Sequence, residues 1–175
     1  MHPLWLILDT ACPRALIALA QNGEVLAEVY LDEYKRHGEK LASAIDRCLA
    51  QAGCQIGNIT AVAVGTGPGS FIGVRIAMAH AKGLCTALQI PLIGFNTLAG
   101  IDSQKANWVA IDARRGEYYG LEIGRKQAVI LKSLPENTYL ESKGPVARQI
   151  LALLPSEMND ETLTLVPNYI RDSQC

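Results

Sequence analysis

The sequence is short of the residues on which most metal and redox sites depend. Its 175 residues contain three histidines, His2, His37 and His80. They form no H-E-x-x-H or H-x-x-x-H pattern, so a zinc hydrolase is left without ligands. The five cysteines, Cys12, Cys48, Cys54, Cys85 and Cys175, are scattered, odd in number and without a C-x-x-C pair. That excludes a disulfide framework and reads as reduced thiols in a cytosolic, hence cytoplasmic, protein. Neither charge sign is in excess. The net charge of −1 supplies no long-range attraction to nucleic acid. Apolar stretches are interrupted before the ~18 residues that a membrane span needs. The opening "MHPLWLILDT" lacks the basic region and cleavage site of a signal peptide.

What is present is globular. Apolar residues make up 49% and charged residues 19%, enough for one compact domain or two small lobes. "LWLILDTA" (4–11) reads as a central strand, apolar on both faces. "ALIALA" (15–20) and "EVLAEVYL" (24–31) flank Asn22-Gly23, a strong hairpin signal. Residues 33–53 turn helical, with Leu41, Ile45, Cys48, Leu49 and Ala52 at spacings of three and four and Gly53 as the stop. "HGEK" (37–40) reads as the solvated first turn of this helix. "ITAVAVG" (59–65) is a further buried strand, and "LIGF" (92–95) a short one.

Between them lies "GTGPGSFIGVRIAMAHAKGL" (65–84), which has no acidic residue. No register supplies the Gly-Lys-[Ser/Thr] ending of a phosphate-binding P-loop. The G-x-G-x-x-G spacing also fails, at Ser70 and at Ile72. G-x-S-x-G fails because Gly69 directly precedes Ser70. A strand, glycine loop and helix still aim N–H groups at an anion, but the turn also serves simply to launch a helix capped by Ser70. That helix, about 70–88, is apolar or small on every face except for Arg75, His80 and Lys82. It therefore needs cover from its own sheet and from something else, either the first helix or a partner's helices. Asp9 and Asp112, both at strand ends, suit magnesium binding or the orientation of water, and equally suit turn capping.

The two halves repeat. "WLILDTACPRALIALAQNGEVLAEVYL" from Trp5 aligns with "WVAIDARRGEYYGLEIGRKQAVILKSL" from Trp108, placing Trp on Trp and Asp9 on Asp112. Each copy reads strand, Asp, Arg-containing turn, strand, Gly-containing turn, strand. The second copy is abbreviated, with one weak helix at 145–154 and a strand at 163–167. The division expected is a first lobe, 1–100, with two long helices and a shorter second lobe, 101–175.

Taken together, "ILDTA", "RHGEKLASAIDRCLAQAG", "GTGPGSFIGVRIAMAHAKGL", "DARRGEYYG" and "PNYIRD" resemble the bacterial TsaB (YeaZ) family over nearly the whole chain. The resemblance implies an α/β fold of the ASKHA type (actin, Hsp70, sugar kinases): duplicated ribonuclease H-like lobes, here with the second truncated. It implies a part in forming N6-threonylcarbamoyladenosine at position 37 of ANN-decoding tRNAs. In that system TsaB is a non-catalytic partner without a cofactor of its own. It forms a heterodimer with the paralogue TsaD, which carries the metal site, and the ATPase TsaE docks on the pair. Homodimers also occur, tRNA is met only through the complex, and no membrane is involved. The family's partner contact is made by the two first-lobe helices. Helical spacing then gives Lys40, Ser43, Ala44 and Arg47 on the first, and Ile72, Arg75, Ile76, Met78, Ala79 and Lys82 on the second. Asp9, Thr10, Gly67, Gly69 and Ser70 would be remnants of a nucleotide loop. Ile72 stands where the family usually has Thr, and Gly38 where it has Ser. The enzymatic alternatives are a degenerate ATPase, which would need a phosphate loop and an intact second lobe, and a glycoprotease, which would need ligands or a nucleophile that the motifs do not supply.

Overall fold

The computed structural model describes residues 2–33, 36–155 and 164–168. Three strands open the chain: β1 (Trp5–Asp9), β2 (Ala15–Gln21) and β3 (Glu24–Leu31). β1 and β2 pair antiparallel, as do β2 and β3. Asn22 and Gly23 both take positive φ, 55° and 79°, as a two-residue turn matched to strand twist requires. Helix α1 (His37–Gln51) follows, then a 3-10 turn at Ile56–Asn58 and strand β4 (Ala61–Gly65). Helix α2 (Phe71–Leu88) leads to β5 (Leu92–Phe95) and a 3-10 turn at Thr97–Gly100. The first sheet runs β3-β2-β1-β4-β5, with β4 parallel to both β1 and β5.

Strand alternation sorts this sheet's side chains to two faces. Leu6, Leu8, Ile17, Leu19, Val62 and Val64 join Leu41, Ile45 and Cys48 of α1 and Ala77 and Ala81 of α2. Trp5, Ile7, Leu16, Ala18 and Ala63 form the opposite face. That face is covered by Ala147 and Ile150 of α3 (Ala147–Leu151). Chain order places 145–154 with the second half; the structure returns it to the first sheet, where its apolar side chains find the uncovered face.

The second sheet holds β6 (Trp108–Arg114), β7 (Glu117–Glu122), β8 (Val129–Leu131) and β9 (Thr138–Leu140), in the order β8-β7-β6-β9. β6 occupies the position β1 holds in the first sheet: antiparallel to the next strand in the chain and parallel to a later one. The duplication read from Trp5 and Trp108 is thus a duplication of topology. Between β3 and β4 the chain inserts α1; between β8 and β9 only residues 132–137 intervene. Val109, Ile111 and Leu121 of the second sheet pack with Cys12, Leu98 and Ile101, which joins the two sheets through an apolar seam.

The strand expected at 163–167 is not formed over its described residues, 164–167. Instead Leu165 packs beside Ala11, Val74 and Met78, and the Asn168 amide donates to the Thr66 carbonyl at 2.7 Å. The rest of the "PNYIRD" stretch, 169–172, lies outside the described residues.

Candidate functional site

Three structures meet at the carboxyl ends of β1, β4 and β6: the turn after Asp9, the glycine loop before α2, and the turn after Asp112. Asp9 is fully buried. Its carboxylate accepts the Ala11 amide at 2.8 Å and the Thr97 hydroxyl at 2.8 Å. Burial pushes its pKa up from 3.8 to about 6, against the opposing pull of those two hydrogen bonds. The Thr97 hydroxyl in turn accepts the Gly67 amide at 3.1 Å. Asp9 therefore ties the first strand to the glycine loop through Thr97. Its oxygens are engaged in the interior and do not face a ligand.

Thr10 is spent in the same way. Its hydroxyl donates to the Gly73 carbonyl at 2.5 Å and accepts the Ala77 amide at 3.2 Å, inserting itself into the first turns of α2. A Cβ on Gly73 would run into the Thr10 carbonyl, and one on Gly69 into the Ala11 carbonyl. These two glycines let the loop and helix close on the strand end. Ser70 caps α2 as its type and place predict, accepting the Gly73 amide at 3.1 Å. The amides of Gly67, Ser70 and Gly73 go to Thr97, Ala11 and Ser70 respectively. These three amides of the loop and first turn are committed within the chain, which favours the turn-and-launch reading of the loop over the anion grip.

Asp112 makes the same turn as Asp9, accepting the Arg114 amide at 2.7 Å, but it is exposed. The two turns and the start of α2 enclose a cleft of about 530 Å³ lined mainly by apolar groups, among them Phe71, Ile72, Ile111, Tyr119 and Leu140, with Asp112, Arg114 and Glu141 as its charged residues. No cluster of His, Cys, Asp or Glu suited to a metal ion occurs among the described residues.

The helix face sorts the expected partner contacts. Ser43, Arg47, Arg75 and Ala79 are exposed, Lys40, Ile76 and Lys82 are half-buried, and Ile72 is 70% exposed. Ile76 fills the space over Gly38 between the helices. Lys40 pairs with Glu33, and the Arg75 guanidinium stacks over the Phe71 ring, 3.8 Å from its centroid. Ala44 and Met78 are buried within the chain, Ala44 under the first sheet and Met78 against Ala11 and Val74. They are withdrawn as contact positions, because the helical spacing that selected them also matches the inward stripe. Gly83, Thr86 and Ala87 of α2 and Ala42 of α1, which the helical spacing did not select, are also exposed on these helices. By length and mean hydropathy (1.2 over 18 residues) α2 would pass for a membrane span. Val74, Ala77, Met78, Ala81 and Cys85 are nevertheless buried within the protein and pack it as a core helix.

His37 is a further correction. It is 2% exposed rather than solvated, and its Nε2 lies 3.1 Å from the Leu31 carbonyl. Burial lowers its pKa, while backbone carbonyls of Leu31, Pro13 and Thr10 work against that. Its surroundings come from β3 and the β1–β2 turn, which no local pattern around residue 37 announces.

Two lobes built on the same strand order, a cleft between them and helices on one outer face define an α/β protein of the ASKHA type. A model of the family described as TsaD, tRNA N6-adenosine threonylcarbamoyltransferase, matches residues 24–139. The TsaB tRNA threonylcarbamoyladenosine biosynthesis protein of Escherichia coli K12 is 34% identical over 131 residues, covering 70% of this chain and 55% of that protein. A tRNA N6-adenosine threonylcarbamoyltransferase of Ruegeria sp. TM1040 is 46% identical over 66 residues, 38% of this chain and 18% of that one. A Pseudomonas aeruginosa crystal structure described as similar to peptidase YEAZ superposes with a TM-score of 0.79 at 25% identity, covering 97% of this chain and 100% of that one. The chain belongs to the TsaB (YeaZ) branch of the family that the TsaD model describes. It spans about half the length of the curated TsaB relatives it matches.

Proposed function

We propose that this chain is a non-catalytic partner subunit in the formation of N6-threonylcarbamoyladenosine on tRNA, working in the cytoplasm with a TsaD-type paralogue and a TsaE-type ATPase. The observation that carries the reading is the outward face of α2. Ile72, 70% exposed, and the small residues Ala79 and Gly83 lie on it uncovered beside α1. Small residues let a partner helix approach closely, and an exposed isoleucine gives it an apolar anchor. Arg47, Arg75 and Lys82 would form the charged rim. The family membership supports the pathway, and the internally committed Asp9, Thr10 and loop amides support the absence of a reaction centre on this chain. ATP and metal then belong to the partner subunits, and tRNA is reached through them. In this reading the first sheet with α1, α2 and the returning α3 forms the docking lobe, and the second sheet, β6 to β9, is its companion.

The test is co-purification with the same organism's TsaD, with mass read by light scattering. A one-to-one complex is expected for the wild type. Ala79→Asp, which places a charge in the contact, should weaken it at least about a hundredfold while leaving the circular dichroism unchanged. A complex indifferent to Ala79→Asp removes the interface. Deletion of the gene should abolish the tRNA modification; its persistence removes the function.

A further inference from the structure

The two copies of the meander differ in what covers them. On the first sheet the face that carries Trp5 and Ile7 lies under α3, and Trp5 is 4% exposed. Its counterpart Trp108 is only half-buried. Strand alternation turns Val109, Ile111 and Leu121 toward the seam with the first lobe, and so Trp108, Ala110, Tyr118 and Gly120 away from it. On β8, Val129 and Leu131 stand opposite Gly120 and Tyr118. Trp108, Tyr118, Val129 and Leu131 belong to none of the apolar clusters of the described residues. A Cβ on Gly120 would meet Leu131 Cδ1 and stand 3.5 Å from Trp108 Cε3. The glycine thus lets the indole and the leucine close over the strand between them. Tyr118 pairs with Asp112, further along β6 from Trp108, which sets the two rings about 13 Å apart along the strand.

The rim of this face is basic. At the Trp108 end an open hollow of about 540 Å³ is lined by the indole, Arg125, Lys126, Gln127 and Glu122, the last within 3.4 Å of Arg125. At the other end the β6–β7 turn presents Arg114 and Arg115, both exposed and in no ion pair among the described residues. Their φ angles are left-handed, 67° and 59°, a conformation that costs arginine more than glycine or asparagine. The turn therefore keeps two guanidiniums where its backbone favours smaller residues. With Lys132 just beyond β8, these cations outnumber the acids nearby, Asp112, Glu117 and Glu122. Flat rings in the middle and cations at both ends suit a chain of bases and phosphates. Four-stranded sheets with aromatic side chains on an open face hold two or three bases in this way.

We propose that the open face of the second sheet is a stacking platform for a short single strand of RNA. Bases lie on Trp108 and Tyr118, and phosphates on Arg114, Arg115, Arg125 and Lys126. The choice of RNA rests on the tRNA-modifying role proposed above. The net charge of −1 keeps the contact weak on its own, so it serves as a second hold on RNA already bound by the partner subunits.

Trp108 is its own reporter, because Trp5 is buried. The full chain is titrated at low salt with a short single-stranded RNA of mixed sequence and no partner subunit, so the outcome is separate from that of TsaD co-purification. Saturable quenching of the tryptophan fluorescence is expected. Log affinity should fall against log salt with a slope of about −2, as for three phosphates on a single strand. The same sequence as a duplex should bind at least about tenfold more weakly. Arg114→Gly combined with Arg115→Gly should weaken binding about tenfold without lowering the urea midpoint. Absence of quenching, or quenching that the double glycine variant leaves unchanged, overturns the platform. A dimer in light scattering that Trp108→Lys dissolves, with no quenching by RNA, also overturns it and assigns the face to a second copy of the chain.

Discussion

Asp9 and Asp112 close the same turn in two copies of one motif, yet they live in different media. Each ends a central strand, and each accepts the amide two residues on, at 2.8 Å and 2.7 Å. Asp9 is sealed inside, passes its second oxygen to Thr97 and through it holds the glycine loop. Asp112 faces the cleft and water. The difference traces to the elements that succeed each meander. The first copy continues through α1, β4 and α2, which bury the strand end, whereas the second crosses from β8 to β9 without a helix. A repeated motif fixes the turn; the elements stacked over it decide whether its carboxylate is structural or available.

The most severe way to break the first copy is Gly73→Ala. Its methyl would meet the Thr10 carbonyl, a backbone atom that cannot step aside. Urea denaturation should show a loss of at least about 3 kcal/mol. Next is the ionisation of Asp9. Its folded pKa of about 6 exceeds the ordinary 3.8, so the native state binds more protons than the unfolded state between those values. Stability therefore falls as pH rises from 4 to 7, by roughly 3 kcal/mol from this group. Asp9→Asn should remove that portion of the slope, and an unchanged slope would detach the carboxylate from the stability of the lobe. His37 acts with the opposite sign. Burial lowers its pKa, so its contribution is intact at neutral pH and is lost as pH falls below the ordinary histidine value. Thr97→Val keeps the shape but leaves the Gly67 amide and Asp9 without the bridging hydroxyl, at a cost of about 2 kcal/mol by the same denaturation. The smallest effect belongs to the second copy: Asp112→Ala removes one exposed turn bond and should cost under about 1 kcal/mol. A larger loss there than at Thr97 would reverse the comparison.

Much of this frame could be read from residue order. The meander, the Asn22-Gly23 turn, both long helices and the Ser70 cap follow from local spacing, and the Trp5/Trp108 alignment anticipated the shared topology. Contacts between residues distant in sequence could not be read. Thr10 gave no sign that its hydroxyl would enter a helix more than sixty residues away. His37, set among charged neighbours, gave none of its burial. At the proposed contact, spacing could not separate the two faces of each helix, so Ala44 and Met78 appeared beside Ala79. Small and apolar residues on both sides of α2 leave no polar stripe to mark which side looks outward.

The position of α3 has a consequence for how the protein is made. A ribosome delivers the first sheet long before residues 147–151, so Trp5, Ile7, Leu16 and Ala18 emerge with one apolar face uncovered. Throughout the synthesis of the second sheet that face is open to chaperones or to aggregation. It is closed only when the chain, having built the second meander, returns to the back of the first.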